Sequence, residues 1–160
     1  MKDPFRETYK KLNEGTNREK YENLPRFPLM LDVELSGGLC NLRCEMCALT
    51  RGEITRKKGF MRKATFYKIL KDVHDKRTPL RLIGYGEPMM HKKFWEFVGL
   101  AKEHNIPLQV TTNGSFLDED AVERFNYYKV DSVKLSVHND SAKVMNGIKN
   151  LEKLKCFKQT

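Results

Sequence analysis

Long apolar runs are missing from this chain. None approaches the roughly 20 consecutive apolar residues that a membrane-spanning helix needs, so no membrane partner is expected. The opening MKDPFRETYKKLNEG is charged and has no apolar segment of the kind a secretory signal carries, which points to a reducing, cytoplasmic compartment. No segment repeats and none is of low complexity. Acidic residues are in deficit, 21 against 30 lysines and arginines, for a formal charge of +9. That excess suits either an anionic partner such as nucleic acid or a solvated lysine surface, and it is densest in TRKKGFMRK, residues 55–63. Cysteine is scarce too, at four in 160 residues, yet Cys40, Cys44 and Cys47 fall together in GLCNLRCEMC, residues 38–47. In a reducing compartment such a group reads as metal ligands or redox thiols rather than disulfide partners.

What is present alternates. Residues 1–27 read as an N-terminal, polar, helical extension, with the helix over 4–24, and residues 28–160 as one α/β core domain. A strand is expected from Leu29 to Ser36, followed by the cysteine loop. KATFYKILKDVHD places Phe66, Ile69, Leu70 and Val73 on one helical face. PLRLIGYGEP reads as a short buried strand ended by glycines and proline, and KKFWEFVGLAKEHN as a helix with Phe94, Phe97, Val98 and Ala101 inward. IPLQVTTNG and VDSVKLSVH are the third and fourth strands; DEDAVERFNYY, acidic at its start, and AKVMNGIKNLEKL are the helices that follow them. Strand–helix alternation of this kind implies a parallel sheet: a partial (β/α) barrel of about four units. Ligands in such folds bind beyond the carboxyl ends of the strands, where the cysteine loop, GYGEP, TTNG and SVHND all fall.

The spacing of the cysteines, C-x-x-x-C-x-x-C, suits three corners of a [4Fe–4S] cube and leaves the fourth iron open to another ligand. A zinc knuckle would want a fourth protein ligand, and neither Cys156 nor a histidine sits at a short spacing from the trio. With this loop after the first strand, the chain resembles the radical S-adenosylmethionine (SAM) superfamily. GLCNLRCEMC is similar to the branch that holds molybdenum-cofactor cyclase-like enzymes and peptide-modifying enzymes with an accessory-cluster domain. GYGEPMMH, TTNGSFL and VDSVKLSVHND resemble the segments that end the family's second, third and fourth strands.

The resemblance implies a [4Fe–4S] cluster on Cys40, Cys44 and Cys47, with SAM on the open iron. It implies reductive cleavage of SAM to a 5′-deoxyadenosyl radical that abstracts hydrogen from a peptide or a small biosynthetic intermediate. By motif match, Tyr85, Gly86 and Glu87 meet the methionine amino group, Thr111 and Asn113 lie near its carboxylate, Ser136 faces the ribose or methionine part, and Met46 lies near adenine. Each has a plainer reading when taken alone: strand-ending glycines, an ordinary Asn-Gly turn, a surface carboxylate at Glu87, packing at Met46. His91 and His138 read as structural or solvated, Cys156 as a buried or free thiol, and Phe94, Trp95 and Phe97 as helix packing. A flavodoxin or ferredoxin is the implied electron donor. The family usually has six βα units where four are counted here, and the resulting edge strand asks for a homodimer or a complementing chain. Two other functions stay open: a non-catalytic remnant that binds SAM or a partner, and a zinc-stabilised nucleic-acid binder.

Overall fold

The computed structural model describes residue 3, residues 5–15, residue 22, residues 25–138 and residues 140–159. Elements run α1 (Arg6–Asn13), β1 (Leu31–Val33), α2 (Lys63–His74), β2 (Leu80–Leu82), a 3₁₀ turn (Pro88–Met90), α3 (Phe94–Glu103), β3 (Leu108–Thr112), α4 (Glu119–Tyr127), β4 (Ser132–Leu135), α5 (Ala142–Leu151) and β5 (Phe157–Gln159). All neighbouring strands are parallel, in the order β1-β2-β3-β4-β5. The expected α/β architecture is present, as an open sheet with helices alternating between its strands. Much of the expected helix over 4–24 lies outside the described residues.

Alternation along the strands sorts the side chains between two faces. One row, Val33, Leu82, Val110 and Val133, is in register across four strands and at most 2% exposed. It packs with the inward stripes of the helices: Phe66 and Leu70 of α2, Phe97 and Ala101 of α3, Val122 and Phe125 of α4, Leu151 of α5. Phe94 and Phe97 are buried and Trp95 packs edge-on against Phe125, so the aromatic group is helix packing. Asp118 caps α4 by accepting from the Ala121 N–H, with Glu119 and Asp120 in the first turn where the helix dipole favours them.

The other face is polar at its lower end. Asp32, Arg81, Gln109 and Ser132 lie side by side in register. Arg81 forms a bidentate pair with Asp32 at 2.6 Å, and the Gln109 amide donates to Ser132 Oγ at 3.1 Å. Helix α1 comes onto this row: Phe5, just before it, is fully buried, and the Tyr9 hydroxyl donates to Gln109 Oε1 at 3.1 Å and accepts from Arg81 at 3.4 Å.

Two differences from the expectation have physical causes. Regular β1 pairing ends at Val33, not Ser36, because residues 59–61 turn back along the chain: the Met61 N–H donates to Leu35 O and the Gly59 N–H to Gly37 O. The return is so close that a Cβ on Gly37, whose φ is +48°, would stand 1.9 Å from Gly59 O. Second, a fifth strand, β5, pairs with β4 from Ser132↔Phe157 onward, beyond the four units counted in the sequence. Three residues are too short a run for apolar alternation to show.

Candidate functional site

The ends of β1 to β4 open on a cavity of about 320 Å³. Its wall contains Cys40, Cys44, Cys47 and Met46 from the loop after β1, Tyr85, Gly86 and Glu87 after β2, Thr111 and Asn113 at the end of β3, and Ser136 after β4. All ten residues singled out in the sequence therefore surround one space. Parallel strands in simple sequential order put every strand-to-helix loop at the same sheet edge, and that alone brings four distant segments together.

The loops are tied to each other through the backbone. The Gly38 N–H donates to Tyr85 O and the Glu87 N–H to Leu39 O, both at 2.9 Å. This clamps the cysteine loop against the glycine segment and requires a bare backbone there. Gly86 has φ of +105°, and a Cβ on it would lie 2.5 Å from Leu39 O and 2.6 Å from Ser36 Oγ. Glycine alone suits that position.

Glu87 is 1% exposed, so it is not the surface carboxylate that its sequence setting allowed. One carboxylate oxygen accepts from Thr112 Oγ1 at 2.8 Å and the Met89 N–H at 3.1 Å, and the other accepts from the Asn113 N–H at 2.7 Å. Burial pushes its pKa up to about 7, against the pull of those three donors. Its side chain thus braces the end of β3 rather than reaching solvent.

Asn113 holds the cysteine loop from the opposite side. Its amide donates to Asn41 Oδ1 at 3.0 Å and toward Cys40 Sγ at 3.7 Å, while its Oδ1 accepts from Ser115 Oγ and the Ser115 N–H. The Leu42 N–H also points at Cys40 Sγ, at 3.4 Å. Burial, then the neighbouring Cys40 and Cys47, raises the Cys44 pKa, so the Cys44 thiolate is disfavoured unless a cation is beside it. Among the described residues no three His, Cys, Asp or Glu side chains gather as they would around one metal ion. Three soft thiols lining one cavity are the type of donor that an iron–sulfur cluster takes.

Thr111 supplies a further clue. Its hydroxyl is the buried side-chain polar atom without a hydrogen-bond partner among the described residues, and it belongs to the cavity wall. A buried hydroxyl left unpaired costs about 1–3 kcal/mol, which a polar ligand in the cavity would return. Met46 is 58% exposed beside the cysteines, free to cover whatever occupies the space.

Other residues of this site are not evident from sequence. Glu34 accepts from the Tyr85 N–H at 2.9 Å and pairs with Arg56, whose guanidinium lies 5.9 Å from the Tyr85 ring centre. Its only signal is a charge between the apolar Val33 and Leu35, just before the cysteine loop. Thr112, Asn41 and Ser115 bind the loops together; they lie within TTNGSFL and GLCNLRCEMC, but nothing in those segments singles them out. His138 stands exposed at the cavity wall, whereas His91 is buried, with Nε2 2.9 Å from Met61 O and Nδ1 accepting from the Lys93 N–H. Cys156 lies outside this cavity, half-buried against the core, with a thiol pKa raised by burial.

The profile of the radical SAM superfamily matches residues 35–157. The tungsten-containing aldehyde ferredoxin oxidoreductase cofactor-modifying protein of Pyrococcus furiosus is 36% identical over 101 residues, covering 61% of this chain and 28% of that protein. Among solved structures, BtrN in complex with AdoMet and 2-DOIA superposes with a TM-score of 0.68 at 20% identity, over 84% of this chain and 58% of BtrN. Streptococcus suis SuiB bound to the precursor peptide SuiA gives 0.58 at 24% identity, over 75% of this chain and 26% of SuiB. The chain thus spans less than two thirds of the length of each of these relatives.

Proposed function

The chain belongs to the radical SAM superfamily, and on that premise we propose that it holds a [4Fe–4S] cluster on Cys40, Cys44 and Cys47 and SAM in the adjoining cavity. When bound, the pair supplies one-electron cleavage of a sulfonium C–S bond, and the carbon radical released takes hydrogen from a substrate. The observation that carries this reading is the convergence of ten sequence-nominated residues, from four strand ends, on one cavity with an unpartnered buried hydroxyl.

The roles of the chain's own groups follow from their positions. The three thiols are the cavity-wall ligands that can bind as thiolates. Gly86 lets the glycine segment lie against the cysteine loop, where any Cβ would meet Leu39 O and Ser36 Oγ. Thr111 donates or accepts at the ligand's polar end, beside Asn113. Glu87 holds the end of β3 in place and so fixes Thr111 and Asn113 relative to the cysteine loop. Ser136 faces the cavity from β4, and Met46 covers it from the loop.

A peptide or small biosynthetic molecule is the proposed substrate; the peptide-bound SuiB structure supports the first and the cofactor-modifying relative the second. Among the described residues no helix is long and apolar enough to cross a membrane, in keeping with a cytoplasmic role. The edges of the sheet are β1 and β5, and a second copy or a complementing chain would cover one of them.

Anaerobic reconstitution with iron and sulfide tests the reading. Expected are iron and sulfide in near-equal amounts, a brown chromophore near about 400 nm, and 5′-deoxyadenosine on reduction with SAM. Cys40→Ser, Cys44→Ser and Cys47→Ser should each abolish the chromophore, and Cys156→Ser should leave it intact. Colourless protein, or colour that survives all three substitutions, overturns the proposal. A stable cluster that binds SAM without releasing 5′-deoxyadenosine marks a binding module instead.

A further inference from the structure

Strand β4 carries a lysine among buried neighbours. Ser132, Val133 and Leu135 are buried, and Lys134 between them is half-buried. The strand lies between β3 and β5, so this is not an edge position at which a lysine would guard against pairing. Alternation places Lys134 on the face of Ser132 and Ser136, and its Cα partner on β3 is Thr111. Lys134 does not belong to the cavity wall that Thr111 and Ser136 share. It stands two residues below Ser136, roughly 6.6 Å down the strand. That is between the cavity and the self-satisfied row of Asp32, Arg81, Gln109 and Ser132.

No ion pair or side-chain hydrogen bond engages Lys134 among the described residues. The carboxylates on or next to the strands are taken. Asp32 pairs with Arg81, Glu34 with Arg56, and Asp131 with Lys102, while Glu87 is closed on three donors of its own. A lysine drawn half out of water in the middle of a sheet without a partner is costly, and strands ordinarily disfavour it. Its neighbour in register, the Thr111 hydroxyl, is likewise buried without a partner. Two unsatisfied groups thus stand side by side on adjacent strands, one a cation and the other able to donate. Together they ask for an anion.

We propose that Lys134 is a substrate-binding residue that holds a carboxylate of the molecule from which hydrogen is taken, beneath the SAM cavity. The inference rests on the cluster and SAM reading above and names its substrate class, a molecule with a carboxylate. One ammonium matches one negative charge in a charge-assisted hydrogen bond. A phosphate dianion would ask for a second cation, and Arg81, the cation on this face of β2, is locked to Asp32. Held by its acidic end at Lys134, the substrate extends up the sheet toward the cavity, where the reacting carbon meets the radical. The lysine therefore selects and orients the substrate and takes no part in cleaving SAM.

Anaerobic calorimetry on the reconstituted chain saturated with SAM is the test. The probes are glutarate, for a small carboxylic acid, and a doubly capped alanine pentapeptide with glutamate at its centre, for an acidic peptide. Glutaramide and the same pentapeptide with glutamine are their uncharged counterparts. A carboxylate probe should bind about tenfold or more tightly than its amide, and Lys134→Gln should erase that preference. Lys134→Arg, which keeps the charge, should restore most of it. Both variants should melt with the parent, since the side chain has no partner to lose, and should bind SAM within about twofold of it. Binding of glutarate alone marks a small acid as the substrate, and of the pentapeptide alone an acidic peptide. A parent that binds SAM but neither carboxylate overturns this proposal alone, as does a preference that survives Lys134→Gln. So does a loss of SAM affinity in Lys134→Gln, since the lysine then serves the cofactor's own carboxylate. A parent that binds no SAM fails the earlier reading and takes this proposal with it.

Discussion

Gln109 and Thr111 are two residues apart on β3 and share a face of the sheet, yet they live in opposite circumstances. At the lower end, Gln109 is buried with its carbonyl accepting from Tyr9 and its amide donating to Ser132, while Arg81 is locked to Asp32 and touches the Tyr9 hydroxyl. At the upper end, the Thr111 hydroxyl is buried with no partner, and it lines the cavity beside the three thiols. The lower group is satisfied by the chain itself, with α1 closing it. The upper group is left open, and its neighbours are backbone glycines and sulfurs. A polar row that satisfies itself serves the fold; one that does not is kept for something that comes and goes.

Substitutions at the two ends should separate these roles. The largest effect is expected from Gly86→Ala, which forces a Cβ against Leu39 O at a φ of +105°. It should cost about 3 kcal/mol in urea denaturation and abolish SAM binding, because the glycine segment and the cysteine loop must part. Equal stability and SAM affinity in this variant would show that the loops are not clamped there.

Glu87 gives a signature in pH. Its carboxyl titrates near 7 when folded against an ordinary 4.5. Between those values the folded chain holds a proton that the unfolded chain has released, so stability falls as pH rises across the window. The fall should amount to at most roughly 3 kcal/mol and level off above about 7. Glu87→Gln should remove this slope in melting curves recorded from pH 4.5 to 8; a slope that persists assigns the titration elsewhere.

Tyr9→Phe, at the lower end, should cost about 1 kcal/mol of stability by leaving Gln109 short of a partner, with SAM affinity in calorimetry unaltered. Thr111→Val should do the reverse. Stability should rise by about 1 kcal/mol, since a buried hydroxyl that finds no partner among the described residues is removed. SAM affinity should fall about fivefold to tenfold. If Tyr9→Phe weakened SAM binding and Thr111→Val weakened the fold, the contrast between the two ends would be reversed.

Much of this was legible in the chain. The stripes Phe66/Leu70 and Phe97/Ala101 announce helices α2 and α3 because helical periodicity needs only local sequence. The cysteine spacing and the glycine, TTNG and Ser136 segments announce the site, since strand order alone assigns them to one edge. Less legible were the contacts that depend on chain return. Residues 59–61 end β1 at Val33, β5 is three residues long, and Glu34 becomes a bracket for Tyr85 and Arg56 only through folding. The depth of Glu87 was not legible either: a glutamate after a glycine reads the same whether buried or exposed, until Thr112 and Asn113 are brought to it.

By itself, the sequence determined the alternation of strands and helices, the grouping of three cysteines and the edge of the sheet at which they stand. Those follow from periodicity, spacing and residue chemistry, which are properties of short stretches. Tertiary structure alone decided which polar groups found partners, leaving Thr111 open and Gln109 closed. Hydrogen-bond satisfaction and burial are settled between residues far apart in the chain, so no local pattern can record them.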